Sequence, residues 1–252
     1  MSDSENLHLL TCTRLLQCYP SLLKHIEEYY NNNPNSIKEQ DETGWTAIHF
    51  ATFYSRLPKY SQVLSVFLSQ NTKYTVPNEA TGINDNILDM QVFNRGLTPL
   101  HLLALNVRDA NDINNLNLFI ENGANVNIRT KKCNSTALHF LIEEIPTFDH
   151  YSPVHQYIKM AIKILIKAGT HLRLLNKQGH SVLHLLAMRS KVSIIKEIIK
   201  DLIDSGVNFF DIDQQNVVLH FSDELQEYLS HKLKWDGKDK ENIDKSSLAS
   251  KL

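Results

Sequence analysis

Thr98-Pro-Leu-His101, followed by Ile120-Glu-Asn-Gly-Ala-Asn-Val-Asn127, decides the fold. The tetrapeptide recurs as Thr46-Ala-Ile-His49, Thr136-Ala-Leu-His139 and Ser181-Val-Leu-His184, with a degraded copy at Val217-Val-Leu-His220. The second element returns as Leu165-Ile-Lys-Ala-Gly-Thr-His-Leu172 and as Leu202-Ile-Asp-Ser-Gly-Val-Asn208. Two motifs alternating in one order mark an internal repeat, a small unit that buries its apolar face only by stacking on its neighbours.

The residue types at these positions have local reasons. A hydroxyl side chain at a helix start can accept from free backbone N–H groups. Pro99 fits a first helical turn, where no amide partner is lost. The glycine of the second element suits a left-handed helix end. Gly44, Gly96, Asn134 and Gly179 each stand two residues before a tetrapeptide. Apolar spacing such as Ile194, Ile195, Ile198, Ile199 and Leu202 predicts an amphipathic helix.

Both landmarks resemble those of the ankyrin repeat: Thr-Pro-Leu-His opening its first helix, and Leu-Leu-x-x-Gly-Ala ending its second. The resemblance covers roughly residues 40 to 222. It implies an all-α solenoid of antiparallel helix pairs. It also implies that the tetrapeptide histidines are buried and hydrogen-bond between neighbouring repeats. The irregular repeats and Asn-rich composition are similar to ankyrin proteins of intracellular bacterial pathogens and of large DNA viruses, which act on host proteins. The viral group usually adds an F-box-like C-terminal segment, which is not found in this sequence.

The hydroxyl positions 46, 98 and 136, then Ser181 and Val217, are separated by 52, 38, 45 and 36 residues. A regular ankyrin unit has about 33. The distance from hydroxyl to closing glycine is 25, 33 and 25 residues in the second, third and fourth repeats. The third therefore carries an insertion, placed at Glu143–His155. With Asn71 at the glycine position of the first repeat, a second insertion is expected at Thr72–Met90. Insertions in repeat arrays map to loops on one face, often the binding face. Both carry aromatics that read as exposed: Tyr74, Phe148 and Tyr151.

Four regions are expected. Residues 1–40 form an N-terminal helical cap, with pieces at Leu7–Cys18 and Ser21–Asn31 split by Pro20. Residues 41–211 hold four irregular repeats, and 212–233 a C-terminal helical cap with its helix or helix pair at Val217–Leu233. Residues 234–252 form a hydrophilic tail with too little apolar content for a core. The tail ends in Ser250-Lys251-Leu252, which matches a receptor-read peroxisomal address.

The 252 residues are 42% hydrophobic and 21% charged, with a net charge of −2. That balance gives no global electrostatic case for nucleic acid. The longest apolar runs are broken by charges such as Lys163 and Lys167, short of the roughly 20 apolar residues a membrane span needs. The acidic Met1-Ser-Asp-Ser-Glu start lacks the regions of a signal peptide. Three cysteines, Cys12, Cys18 and Cys133, then read as reduced thiols of a cytoplasmic protein, or of one delivered into a host cytosol. The sequon Asn134-Ser135-Thr136 is expected to go unused there.

No phosphate-cradling glycine loop occurs, and zinc-ligand spacing is absent, so no cofactor or metal is expected. Asp149, His150 and His155 cluster in the third-repeat insertion, and Cys133 follows Lys131 and Lys132. An enzyme with a site at those residues is one alternative, although no signature supplies a base and oxyanion site for Cys133. A self-associating structural protein is another.

The reading preferred is a monomeric, non-enzymatic protein-binding adaptor or inhibitor, a host-directed effector. In the family, partners usually contact the loop before Thr-x-Leu-His and the exposed end of the following helix. The first repeat then offers Glu42, Thr43, Trp45, Phe53 and Tyr54, and the second Asn94, Arg95, Leu97, Leu105 and Asn106. The third offers Lys132, Cys133, Ser135, Glu143 and Glu144, and the fourth Lys177, Gln178, His180, Met188 and Arg189. Aromatics and arginine most often carry interface energy, which favours Trp45, Phe53, Tyr54 and Arg95 as anchors. The mixed charge of the stripe names no partner class.

Overall fold

The computed structural model describes residues 22–55, 62–69, 86–145, 153–189, 192–204 and 222–233. Helix α1 is Leu22–Asn32, followed by a short 3-10 turn at Pro34–Lys38. The repeats contribute α2 (Ala47–Phe53), α3 (62–69), α4 (Pro99–Ala104), α5 (Ala110–Glu121), α6 (Ala137–Glu143), α7 (Pro153–Lys167), α8 (Val182–Met188) and α9 (Ser193–Asp204). Helix α10 is Asp223–Leu233. The chain forms two compact units, dividing at Leu185 and Leu186 within α8.

In the first unit the short helices stack in series, α2 on α4 and α4 on α6, while α5 packs on α7 behind them. Each helix opens as its residue types require. Thr46, Thr98 and Thr136 are extended N-caps, each reciprocally bonded to the histidine three residues on. The closing glycines act equally locally. At the end of α5 the Gly123 amide donates to Ile120 and the Ala124 amide to Phe119. At the end of α7 Gly169 donates to Ile166 and Thr170 to Leu165, the same paired left-handed termination. Gly123 and Gly169 have φ of 79° and 87°.

The core is continuous aliphatic packing with a few rings: Ile48, Leu64, Leu103, Phe119, Leu138, Leu141 and Leu165 are all at 0% exposure. Burying side chains of this size contributes about 1.5–3 kcal/mol each. Tyr30 of α1 and Phe67 of α3 meet edge-on, with centroids 5.2 Å apart, so α1 covers the first repeat.

The structure corrects both insertion boundaries. Residues 86–90 belong to the repeat body. Ile87 and Leu88 are buried, and Ile87–Asp89 is a 3-10 turn capped by the Asn86 carboxamide. Asn86 Nδ2 donates to the Gly123 carbonyl at 2.8 Å, and the Asn125 amide donates to Asp89 Oδ1 at 2.8 Å. One repeat on, the His171 amide donates to Asn127 Oδ1 at 2.7 Å, so Asp89 and Asn127 are equivalent stitches between neighbours. In the third repeat, Pro153, Val154 and His155 are the first turn of α7, and His155 is buried. At the other end of that insertion Glu143 closes α6 and Ile145 is buried, so residues 72–85 and 146–152, with Tyr74, Phe148, Asp149, His150 and Tyr151, are the parts of the insertions that lie outside the described residues. So do Leu7–Cys18, the copy at Val217–His220 and the tail from residue 234.

The second unit is held by α9 against α10. Ile195, Ile198, Ile199 and Leu202 form the buried face of α9, as their spacing predicts, and Leu225 of α10 is fully buried. Lys196 and Lys200 both donate to the Glu224 carboxylate, at 2.7 and 2.8 Å, and Tyr228 donates its hydroxyl to Asp204. The two lysines pull the exposed Glu224 carboxyl down to about 2.

Candidate functional site

The hydrogen bonds that build the repeats also build a surface. Before each short helix the chain makes a tight turn, and the turn tips are bonded to one another in series. The Phe93 amide donates to the Thr43 carbonyl (3.0 Å), Lys132 to Arg95 (3.3 Å) and Lys177 to Cys133 (2.8 Å). Gln40 and Gln91 brace the same junctions. Each carboxamide donates once within its own turn, to Gly44 or Gly96, and once to the next repeat, to Gln91 or Arg129.

Two constraints keep the tips close. Gly44, Gly96, Asn134 and Gly179 all have positive φ, between 57° and 87°. At Gly44 a β-carbon would stand 2.5 Å from the Phe93 nitrogen, and at Gly96 2.5 Å from the Lys131 nitrogen. Only glycine satisfies both the left-handed backbone and that approach. Asn134 meets the first demand alone, as asparagine can.

Turn length follows the residue that starts the turn. Asp41 and Asn176 begin the shorter turns, and each side chain accepts backbone amides two and four residues on. Val92 and Thr130 begin turns one residue longer, where the backbone closes through Gly96 to Val92 and Asn134 to Thr130.

The tetrapeptide histidines lie beneath the tips and hold them. His49 Nδ1 accepts the Thr46 amide at 3.2 Å, which leaves the ring proton on Nε2 to donate to the Leu97 carbonyl at 3.3 Å. His101 does the same between Thr98 and Ser135, and His139 between Thr136 and Leu174. Burial pushes His49 and His101 down to about 4, against the partial opposition of the carbonyls they bond. His139 is lowered for the same reason. These rings are therefore neutral inter-repeat fasteners, as the resemblance implied.

The expected contact residues fall into two groups. In the first two repeats, Thr43, Trp45, Phe53, Asn94, Arg95, Leu105 and Asn106 line one open cleft of about 420 Å³. Its floor is the apolar cluster Val92, Leu97 and Leu102, on which Trp45 and Leu105 pack half-buried. Trp45 is part of an aromatic run, 4.7 Å from the Phe50 ring and 5.8 Å from Phe53. Phe53 and Tyr54, edge-on to each other, are 46% and 36% exposed. Glu42 is exposed on the first tip.

Two residues of the expected stripe are corrected. Leu97 is buried, so only the cleft floor sees its side chain, and Ser135 is buried with its carbonyl taken by His101. In the third repeat Lys132 and Glu144 are exposed, whereas Glu143 and Cys133 are half-buried. Lys177 and Gln178 are exposed at the fourth tip, where the half-buried His180 ring stacks on His184. Met188 is 69% exposed and Arg189 half-buried in the second unit.

The surface also holds residues that motif reading passed over. Phe93, 49% exposed, stands on the second tip, and Lys131 is exposed beside Lys132. Both occupy turns whose length the tetrapeptide does not reveal; the left-handed residue two positions before it, Gly96 or Asn134, was the available signal.

Among the described residues no group of three or more His, Cys, Asp or Glu side chains could hold a metal. Nor is any helix of those residues long and apolar enough to cross a membrane.

Stacked helix pairs, with capped Thr-x-x-His starts and hydrogen-bonded turn tips, define a repeat-array binding scaffold. The ankyrin-repeat family model matches residues 95–131, the second of these units. An ankyrin repeat protein of Acanthamoeba polyphaga mimivirus is 26% identical over 184 residues, which cover 72% of this chain and 29% of that protein. The chain is thus similar to ankyrin-repeat proteins, a viral one among them, and it spans less than a third of the length of the curated relative it matches. Ankyrin repeats are protein–protein interaction modules, and proteins built from them are typically non-enzymatic.

Proposed function

We propose that this chain binds a target protein through its turn tips and the open ends of its short helices, and that it acts on a host protein in a host cytosol. The observation that carries the reading is the cleft between the first two repeats. It combines an apolar floor (Val92, Leu97, Leu102), aromatic walls (Trp45, Phe53) and a polar rim (Thr43, Asn94, Arg95, Asn106). A desolvated pocket beside a rim cation is where binding energy concentrates in protein interfaces. Similarity to part of a viral ankyrin-repeat protein supports the host-directed part.

Of the residues proposed for catalysis, Cys133 is half-buried in the tip ladder and His155 is buried in the first turn of α7, while Asp149 and His150 lie outside the described residues.

The test is capture of host proteins by the wild-type chain, by a groove variant Phe53→Asp/Tyr54→Ala, and by a back-face variant Leu118→Asp. Leu118 is 37% exposed on α5. Recovery of a specific protein by the wild type and Leu118→Asp, but not by the groove variant, is expected. Identical recovery by all three would remove the groove from the interface.

A further inference from the structure

The structure separates charges that are mixed in sequence order. Residues 90–107, 122–142 and 168–189, which supply the tips and short helices of the second, third and fourth repeats, contain no aspartate or glutamate. They do contain Arg95, Lys131, Lys132 and Lys177, all exposed on the tips. None of these four is ion-paired among the described residues. On the first tip the Asp41 carboxylate is consumed locally by the Thr43 and Trp45 amides and the Thr43 hydroxyl, leaving Glu42 as that tip's exposed acid.

Glu143 and Glu144 sit at the opposite edge, at the C-terminal end of α6. The surface thus has a basic edge along the tips of repeats two to four and an acidic point at the far end of the third helix. The tip bonds from Lys132 to Arg95 and from Lys177 to Cys133 hold the cationic positions in fixed register.

Resting on the protein-binding reading above, we infer that the partner presents an extended acidic segment with one large apolar side chain. The apolar residue fills the cleft over Val92, Leu97 and Leu102. The acidic residues run from there along the tips past Arg95 and Lys132 towards Lys177, away from Glu42. A broad polyanion such as nucleic acid is disfavoured, because its backbone would meet Glu143 and Glu144 across the groove. A rim of such charges acts mainly on association rate and selectivity, and it weakens with salt.

The probes are synthetic peptides of about 12 residues, some 40 Å when extended. One carries a tryptophan followed by four glutamates, the second has the glutamates replaced by glutamine, the third has the tryptophan replaced by alanine. A single-stranded oligonucleotide of matching length is the fourth. Binding is read by fluorescence anisotropy to the wild-type chain and to R95E/K132E/K177E, whose circular dichroism is checked first; the three positions are exposed. The expected result is that the glutamine and alanine peptides each bind about tenfold more weakly than the first. The charge-reversed chain should lose a similar factor, and so should raising salt from about 50 to 300 mM.

Equal binding of the glutamate and glutamine peptides, or tighter binding of the oligonucleotide, overturns the inference. The protein-binding reading is judged separately. If a protein captured through the Phe53 and Tyr54 surface binds R95E/K132E/K177E as well as wild type, the acidic partner is wrong and the groove stands. If the groove variant captures what the wild type does, the reading itself fails.

Discussion

Acidification from pH about 7.5 to 5 should loosen the first unit through two histidines. His49 and His101 are buried, and both are held down to about 4 by loss of hydration. In the unfolded chain they return to about 6.5. A histidine with a depressed folded pKa binds its proton more readily when unfolded, so its contribution to stability is complete above about pH 6.5. That contribution falls as pH drops through the window between 6.5 and 4. At pH 5 the linkage amounts to about 2 kcal/mol for each ring, or roughly 4 kcal/mol for the pair. His139, lowered for the same reason, adds in the same direction. Stopping near pH 5 stays above the ordinary carboxylate range.

Trp45 stands against the first of these histidines, its ring 5.9 Å from His49. The chain has two tryptophans, so in a Trp235→Phe background fluorescence reports on the first repeat alone. With a urea slope of about 2 kcal/mol/M, the unfolding midpoint should fall by about 2 M between the two pH values. A shift under about 0.5 M would refute the reasoning. So would NMR titration placing His49 and His101 at the ordinary histidine value, because the fasteners would then not need to be neutral.

Gly96→Ala should cost more stability than Gly179→Ala. Both have positive φ, but only at Gly96 would the new carbon run into backbone, at Lys131; about 1 kcal/mol is expected at Gly179 and at least twice that at Gly96, read from paired urea curves. Leu138→Ala empties a site at 0% exposure inside α6 and should cost about 3 kcal/mol by the same measurement; a cost under about 1 kcal/mol would mean the repeat interface is not close-packed there. Carbon-detected NMR should find the Glu224 carboxyl titrating near 2, and Lys196→Met/Lys200→Met should return it to the ordinary range; no change would mean the two contacts do not persist in solution.

Much of the fold was legible because ankyrin landmarks are local. Thr-x-x-His is a cap and its reciprocal partner within one helical turn, and the closing glycine is a left-handed residue whose bonds reach back only five positions. Such features are set by neighbours in the chain, so they survive reading in one dimension. The insertion boundaries were misplaced for the converse reason. Ile87, Leu88 and His155 carry no repeat landmark, and what assigns them to the body is burial and bonds reaching 36 or 37 residues away, as at Asp89 and Asn86.

The contact stripe divides along the same line. Its membership in the first two repeats followed from the motif, and those side chains do gather around one cleft. Its electrostatic character did not follow. In order along the chain Asp41, Glu42, Arg95, Lys132, Glu143 and Lys177 are of mixed sign. By itself the sequence determined the repeat, its caps, its glycines and its fastening histidines, because each depends on a few adjacent residues. Only the tertiary structure decided which charges share an edge, because stacking brings together tips 38 and 45 residues apart and no contact within one repeat can do so.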